Sequence, residues 1–278
     1  MLDDLDDDLL AVVTEVAGDG DDVVAAVRAH PVAAVALALL LRATADLDVA
    51  SALVAESATY STLQAGPEHR AWLEGHTRKA RPSDPEPVRM SRAGGRLRLT
   101  LDRPHVRNAF DAATRDALLD GLAVAAADPS LTEIVIDGSG PSFCSGGDLD
   151  EFGTALDPAT AHLVRVARSV GRAVHELRDR VMFVVHGACV GAGVELAAFA
   201  GRVVARPDAT FRLPEVAMGL VPGAGGTVGI PRRVGMRRAA WLALTGNAID
   251  APTALDWGLV DVVDEIDEID EIDEEGVG

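Results

Sequence analysis

The stretch that decides the fold reads HGACVGAGVEL from His186 to Leu196. It follows Val181–Val185, a short apolar run rich in β-branched residues, which predicts a buried strand. The glycines and alanines that come next predict a tight turn and then a helix of small residues over 190–201. A strand that turns directly into a helix is the repeating element of an α/β domain.

The same alternation of strands and helices extends toward the N-terminus. Residues Arg96–Leu101 alternate polar and apolar side chains, as a half-buried strand does, and residues 113–127 have helical spacing. A β-branched run at 133–137 completes a strand–helix–strand series. The series predicts an α/β domain whose functional site lies in the loops that follow the strands.

The chain before this series has a different pattern. Residues 1–80 show the helical spacing of apolar residues, and the run at 32–41 is too short to span a bilayer, so we expect a buried helix there. Three prolines within 81–87 indicate a linker. The expected organisation is a helical extension and linker at 1–88, an α/β domain at 89–264 and an acidic tail at 265–278.

The formal net charge of −19 comes from the two ends of the chain. Nine acidic residues within 1–22 and ten within 261–278 leave 25 acids, which the 25 basic residues balance. Acidic ends repel phosphate backbones, so no nucleic-acid partner is expected. The first residues are also the opposite of a basic secretory leader, and the chain has only two cysteines, Cys144 and Cys189. We therefore expect a cytoplasmic protein with no membrane partner.

Three glycine-rich segments and their order indicate a family. They read PSFCSGGDL at 141–149, HGACVGAGVEL at 186–196, and FRLPE at 211–215 followed by PGAGGT at 222–227. Further matches precede and follow them, at Arg103-Pro104, Asn108-Ala109, Thr245-Gly246 and Gly258-Leu259-Val260. Taken together, the segments resemble the crotonase (enoyl-CoA hydratase/isomerase) superfamily over roughly residues 94–264.

The resemblance implies a fold, a reaction and a set of site residues. The fold is α/β, a crotonase-like (ββα)n spiral domain, here preceded by a small helical region. The reaction is hydration of a 2-enoyl-CoA thioester, with no cofactor beyond the coenzyme A of the substrate, no metal, and a homo-oligomer, either trimeric or hexameric. The implied catalytic groups are the carboxylates of Glu195 and Glu215 and the backbone N–H groups of Gly147 and Ala192. The implied substrate contacts are Arg107, Ala109, Ser145, Gly147, Asp148, Leu149, Asp150, Ala192 and Gly223.

These residue types suit chemistry on an acyl thioester. Negative charge that develops on the thioester oxygen is stabilised by N–H groups already in place, and Ala192 is expected to begin a helix, where such groups are unpaired. Adding water across a double bond needs one group that takes a proton and another that gives one, which two carboxyls can do. Asp148 is expected to cap a helix that begins at Leu149.

Other interpretations of the same residues stay open. A divergent crotonase enzyme (an isomerase, a thioester hydrolase or a cofactor-independent oxygenase) would share the oxyanion loops. A non-catalytic acyl-CoA-binding protein would be expected to lack one glutamate, and both are present. The glycine spacing at 191–193 does not match a dinucleotide-binding loop, so NAD is not expected, and His186 lies outside the catalytic positions of the family.

The sequence departs from the family pattern at both ends. Family members usually continue past the Gly-Leu-Val element into a helical region that covers the site, whereas an acidic repeat stands here at 264–272. We therefore expect the N-terminal extension to pack against the catalytic domain, of its own subunit or a neighbour's. Because the chain has one lysine, Lys79, beside 24 arginines, contacts to coenzyme A phosphates are expected from arginine, with Arg103 and Arg107 the candidates by position.

Overall fold

The computed structural model describes residues 6–18, 20–79, 84–155 and 157–264. The predicted acidic tail at 265–278 therefore lies outside the described residues. Within them, the extension is helical, as the sequence predicts. Its helices are α1 (Asp6–Ala17), α2 (Asp21–Ala29), α3 (Pro31–Thr44), α4 (Val49–Gln64) and α5 (Pro67–Gly75).

Helix α3 contains the apolar run, and six of the ten side chains of that run are buried, which confirms the predicted buried helix. Pro31 stands at its first turn, where a missing N–H costs no hydrogen bond, and the carboxylate of Glu68 accepts hydrogen bonds from the N–H groups of Val32 and Ala33. Among the described helices, none alone is long and apolar enough to cross a membrane; only the pair α2 and α3, bent by 116°, reaches that length and composition.

The rest of the described structure contains two β-sheets. The larger one has the order β1-β2-β3-β4-β6-β9, in which β1 and β2 form an antiparallel hairpin and every other neighbouring pair is parallel. The smaller one has the order β5-β7-β8. The strands are β1 (Val88–Ala93), β2 (Arg96–Leu101), β3 (Glu133–Gly138), β4 (Val181–Val185), β5 (Ala188–Val190), β6 (Arg202–Ala205), β7 (Thr210–Arg212), β8 (Ile249–Asp250) and β9 (Val262–Val263).

Helices and short 3₁₀ turns connect these strands, so the α/β architecture predicted from the sequence is confirmed. The helices are α6 (Ala112–Ala127), α7 (Pro158–Ala167), α8 (Val170–Glu176), α9 (Ala192–Ala197), α10 (Gly226–Val234), α11 (Met236–Thr245) and α12 (Ala251–Trp257). The 3₁₀ turns are Pro104–Val106, Leu149–Glu151, Arg178–Arg180 and Glu215–Met218.

One prediction is wrong in detail: the helix expected over 190–201 is shorter. Val190 belongs to β5, because its segment pairs in parallel register with β7, and only Ala192–Ala197 form the helix. Both sheets and the helices of the extension contribute buried side chains to one large hydrophobic core, which includes Leu37, Leu99, Leu122, Ile134 and Phe183. A second, smaller cluster consists of Val135, Met182, Val184 and Val204.

The extension packs against the α/β domain of its own chain, which confirms that prediction. Helix α4 lies against α7, where the Ser57 and Ser61 hydroxyls donate hydrogen bonds to the carbonyls of His162 and Pro158. Helix α1 lies against α11, and the Trp241 indole donates a hydrogen bond to Asp22 of α2. The extension and the α/β domain are therefore packed directly against each other.

Candidate active site

Glu195 projects from the first turn of α9 and is 2% exposed. Its Oε2 accepts hydrogen bonds from the N–H groups of Ala224 and Gly226, both at 2.8 Å. Those N–H groups belong to the glycine-rich loop that leads into α10. Two backbone donors on one oxygen favour the charged form of the carboxyl and hold it in place.

Glu215 begins the 3₁₀ turn that follows β7 and is 7% exposed. Its Oε2 is buried and has no hydrogen-bond partner among the described residues. The side chain approaches the backbone of Gly191 so closely that a Cβ there would lie 2.6 Å from Glu215 Oε1. Gly191 also has a φ of 50°, so both the space and the backbone conformation require glycine at this position.

The N–H groups of Gly147 and Ala192 lie at the two turns that the sequence motifs predict. Gly147 forms an isolated parallel bridge with Phe110, and Ala192 is the first residue of α9. Within the described part of the chain, neither N–H donates a hydrogen bond to another group. Asp148 accepts a hydrogen bond from the N–H of Asp150 at 3.2 Å and so caps the turn that begins at Leu149, as predicted.

A cavity of about 420 Å³ brings these groups together. Six of the residues predicted for the site line it: Gly147, Asp148, Ala192, Glu195, Glu215 and Gly223. An acyl thioester of moderate length fits a cavity of this size, and apolar side chains such as Phe110, Phe152 and Val164 complete the wall. The cavity therefore offers two carboxyls, two free N–H donors and an apolar surface.

Five other predicted contacts lie outside the wall of this cavity. Ala109 is buried, and its carbonyl accepts a hydrogen bond from Arg103. Ser145 donates to the carbonyl of Val106, and Asp150 accepts from the N–H of Lys79. Leu149 and Arg107 are exposed, and Arg107 has a left-handed backbone with a φ of 55°.

One candidate for the coenzyme A phosphates has structural partners instead, and His186, which is not expected to act, also has one. Arg103 is wrong as a contact for coenzyme A phosphates, because it is 3% exposed and forms ion pairs with Asp84, Asp111 and Asp148. A guanidinium surrounded by three carboxylates holds these loops together and is not free to bind a phosphate. His186 forms a hydrogen bond through Nε2 with the carbonyl of Gly140.

The sequence predicts no individual site residue within the extension, yet the extension supplies several. Tyr60 and Gln64 of α4 line the cavity, and the ring of Tyr60 packs against Gly223. Glu56, one turn earlier on the same helix, is 2% exposed and accepts hydrogen bonds from the N–H groups of Gly225 and Thr227. The sequence signal that could have identified Glu56 is an acidic residue among the small and apolar residues of a predicted helix.

Burial raises the pKa values of all three carboxyls. Desolvation raises the pKa of Glu195 to about 7, against the opposing effect of its two backbone hydrogen bonds. The pKa of Glu56 is raised to about 8 by burial and then by the charge of Glu195. Burial, and second to it the charge of Glu195, raises the pKa of Glu215 well above its ordinary value. These three groups therefore share fewer than three negative charges at neutral pH.

Comparisons with known proteins agree with this geometry. A model of the enoyl-CoA hydratase/isomerase family matches residues 92–274. The chain is 38% identical over 167 residues to the 2,3-dehydroadipyl-CoA hydratase of Escherichia coli K12, covering 60% of this chain and 65% of that one. It is 33% identical over 187 residues to the enoyl-CoA isomerase/hydratase fer4 of Mycosarcoma maydis, covering 64% and 68%.

A solved structure shares the fold as well. The crystal structure of the enoyl-CoA hydratase from Thermoplasma volcanium superposes with a TM-score of 0.61 at 33% identity. The superposition covers 68% of this chain and 77% of that one. The match to the family model begins at residue 92, after the helical extension, and the match to the Escherichia coli relative spans slightly less than two thirds of that protein.

Proposed function

Because this chain belongs to the enoyl-CoA hydratase/isomerase family, we propose that it is an enzyme that adds water across the 2,3 double bond of an enoyl-CoA thioester. The observation that carries the proposal is the placement of Glu195 and Glu215 in one cavity with the N–H groups of Gly147 and Ala192. Hydration needs two proton transfers, one from the water that attacks Cβ and one to Cα, and two carboxyls supply one group for each.

The environments of the two carboxyls favour different roles. Glu195 accepts two backbone hydrogen bonds, which stabilise its charged form, so it is suited to take a proton from water as the oxygen bonds to Cβ. Glu215 has a desolvated Oε2 without such donors, so it is suited to hold a proton and give it to Cα. Between these steps, the negative charge on the thioester oxygen is stabilised by Gly147 and Ala192.

Isomerisation of the double bond is the second candidate, and the name of the Mycosarcoma maydis relative includes both activities. An isomerase moves a proton between Cα and Cγ and needs only one carboxyl for the transfer. Glu215, whose raised pKa favours a proton-holding carboxyl, is the residue suited to that shuttle. Hydration is favoured because Glu195 is also buried in the same cavity.

A panel of enoyl-CoA thioesters with mass-spectrometric product detection tests the proposal. Hydration adds the mass of one water, isomerisation leaves the mass unchanged, and hydrolysis releases free coenzyme A. The expected product is the 3-hydroxyacyl-CoA, formed without any added cofactor. A product of unchanged mass from every substrate would replace hydration with isomerisation, and free coenzyme A would indicate a thioester hydrolase.

A further inference from the structure

A smaller recess lies beside the cavity and is not used by the proposed hydration. It has a volume of about 80 Å³ and shares part of its wall with the larger cavity, namely Phe110, Arg115, Arg165, Gly223 and Ala224. Three buried side chains, Leu53, Val170 and Leu196, provide apolar lining. The recess is thus formed between the extension, α7, α8 and the loop that Glu195 holds.

Arg165 of α7 lines both spaces, and among the described residues its guanidinium donates hydrogen bonds to neutral groups, while the charge of Glu56 acts on it without an ion pair. It donates hydrogen bonds to the Ser57 hydroxyl and carbonyl, to the Ser61 hydroxyl and to Gln64 Oε1. The guanidinium also lies over the ring of Tyr60, 4.5 Å from the centroid. Among the described residues no carboxylate forms an ion pair with it. A half-buried cation without a counter-charge is costly, and a neutral side chain could link α4 to α7 equally well.

The other charged groups of the recess do not supply the missing negative charge. Arg115 and Arg168 also line it, and both pair with one carboxylate, that of Asp116, at 2.8 and 2.7 Å. Glu56 is the acid in the lining, but its two oxygens already accept hydrogen bonds from Gly225 and Thr227. Burial raises the pKa of Glu56 to about 8, and in either protonation state the three arginines of the lining outnumber the carboxylates of Glu56 and Asp116. The recess therefore carries an excess of positive charge beside the site.

We propose that this recess binds a carboxylate at the far end of the acyl chain, with Arg165 as the residue that selects it. The preferred substrates would then be enoyl-CoA thioesters that end in a carboxylate, an inference that rests on the proposed function. A planar carboxylate matches the fork of a guanidinium, and the charge–charge hydrogen bonds would replace the neutral ones that Arg165 now makes. The recess is large enough for such a group, since a water needs only about 10–15 Å³ of comparable space.

The position of the recess favours the acyl end of the substrate over the coenzyme A phosphates. Leu196 follows Glu195 in sequence, and Gly223 to Gly225 belong to the loop that Glu195 holds. The recess therefore adjoins the carboxyl proposed to act on the β-carbon, and the acyl chain continues outward from that carbon. The coenzyme A continues from the sulfur, on the other side of the thioester.

Paired substrates test the selection. The two members of each pair are 2-enoyl-CoA thioesters of the same chain length, one ending in a methyl group and the other in a carboxylate. We expect the wild-type protein to prefer the carboxylate member at some length, and Arg165→Met to lower that preference at least about 30-fold, mainly through KM. Arg165→Lys keeps the charge without the fork and should retain an intermediate preference. Arg172→Met, at an exposed arginine outside the recess, serves as the matched control.

The outcomes separate this inference from the proposed function. Equal losses on both members of each pair in Arg165→Met and Arg165→Lys would overturn it and leave Arg165 with a structural role. A KM raised for all coenzyme A thioesters but not for pantetheine thioesters would assign Arg165 to a phosphate instead. If no pair is hydrated at all, the proposed function fails. The binding of saturated acyl-CoA pairs, measured by calorimetry, then tests whether the recess selects a carboxylate, and equal affinities for the two members of a pair would overturn that inference.

Discussion

Glu56 and Glu195 bind alternate N–H groups of one short loop. Glu195 accepts hydrogen bonds from Ala224 and Gly226, and Glu56 accepts them from Gly225 and Thr227, at 2.8 to 2.9 Å. One carboxyl comes from the α/β domain and the other from the extension, so the extension fixes the loop that orients Glu195. These N–H groups lie before and within the first turn of α10, where they have no partner inside the helix.

Removing the Glu56 carboxyl should destabilise the fold. In Glu56→Ala the buried N–H groups of Gly225 and Thr227 lose their acceptor, and each unsatisfied group costs about 1–3 kcal/mol. We expect the free energy of unfolding, measured in urea, to fall by about 2–6 kcal/mol. Glu56→Gln keeps one acceptor oxygen and should lose less. If Glu56→Ala is as stable as the wild type, the loop does not depend on this contact.

The raised pKa of Glu56 also predicts how stability changes with pH. Below the ordinary glutamate value of 4.5 both the folded and the unfolded chain are protonated here, and between 4.5 and about 8 only the folded one holds the proton. Stability contributed by this group is therefore lost as the pH rises through that window. Glu56→Gln cannot titrate, so its unfolding free energy should fall less between about pH 5 and 9 than that of the wild type. Parallel curves for the two proteins would show that Glu56 has an ordinary pKa.

Both glutamates of the cavity should be required for hydration. Glu195→Gln and Glu215→Gln each keep the shape of the side chain but remove proton transfer, so we expect hydration of crotonyl-CoA to fall at least about a hundredfold with the fold unchanged. Circular dichroism checks the fold. The control is Glu176→Gln, at a glutamate whose side chain is 59% exposed and is paired with Arg172. Full activity in either cavity variant would remove that residue from the mechanism.

The pH dependence of hydration should follow the carboxyl that acts as base. Glu195 must be charged to take a proton from water, and burial raises its pKa to about 7. We therefore expect kcat/KM to rise with pH through about 7, with Glu215, whose pKa burial raises well above its ordinary value, as the proton donor. Because the carboxyls interact, the measured value belongs to the group of three. A profile that is flat from about pH 5 to 8 would contradict this assignment of the base.

Local sequence patterns predict much of the fold. The periodicity of β2, α6, β3 and β4 is visible in the sequence because each element buries one or both faces against the core. Strand β5 is not predicted, since its three residues become a strand only by pairing with β7, about twenty residues further along the chain. Pairing between distant segments leaves no periodic signal in so short a strand.

The site residues also divide into those that local sequence motifs predict and those that depend on packing between distant segments. Motifs place Gly147, Ala192, Glu195 and Glu215 because their loops are short and begin at strands that the core fixes. Glu56 and Arg165 belong to helices with no such motif, and their positions depend on how α4 packs against α7. Arg103 illustrates the converse error, because its place beside a motif did not show that three carboxylates surround it.

Replacing the N–H of Ala192 tests the oxyanion site directly. Ala192 is the first residue of α9, a position where proline is tolerated because the N–H has no acceptor within the helix. Ala192→Pro therefore deletes one proposed oxyanion donor without breaking the helix, and we expect kcat to fall about a hundredfold or more. Ala192→Ser keeps the N–H and should lose much less. The control is Val49→Pro, which places proline at the first residue of α4, away from the cavity wall. If the proline and serine variants at Ala192 lose the same activity, the backbone N–H is not the group that stabilises the thioester oxygen.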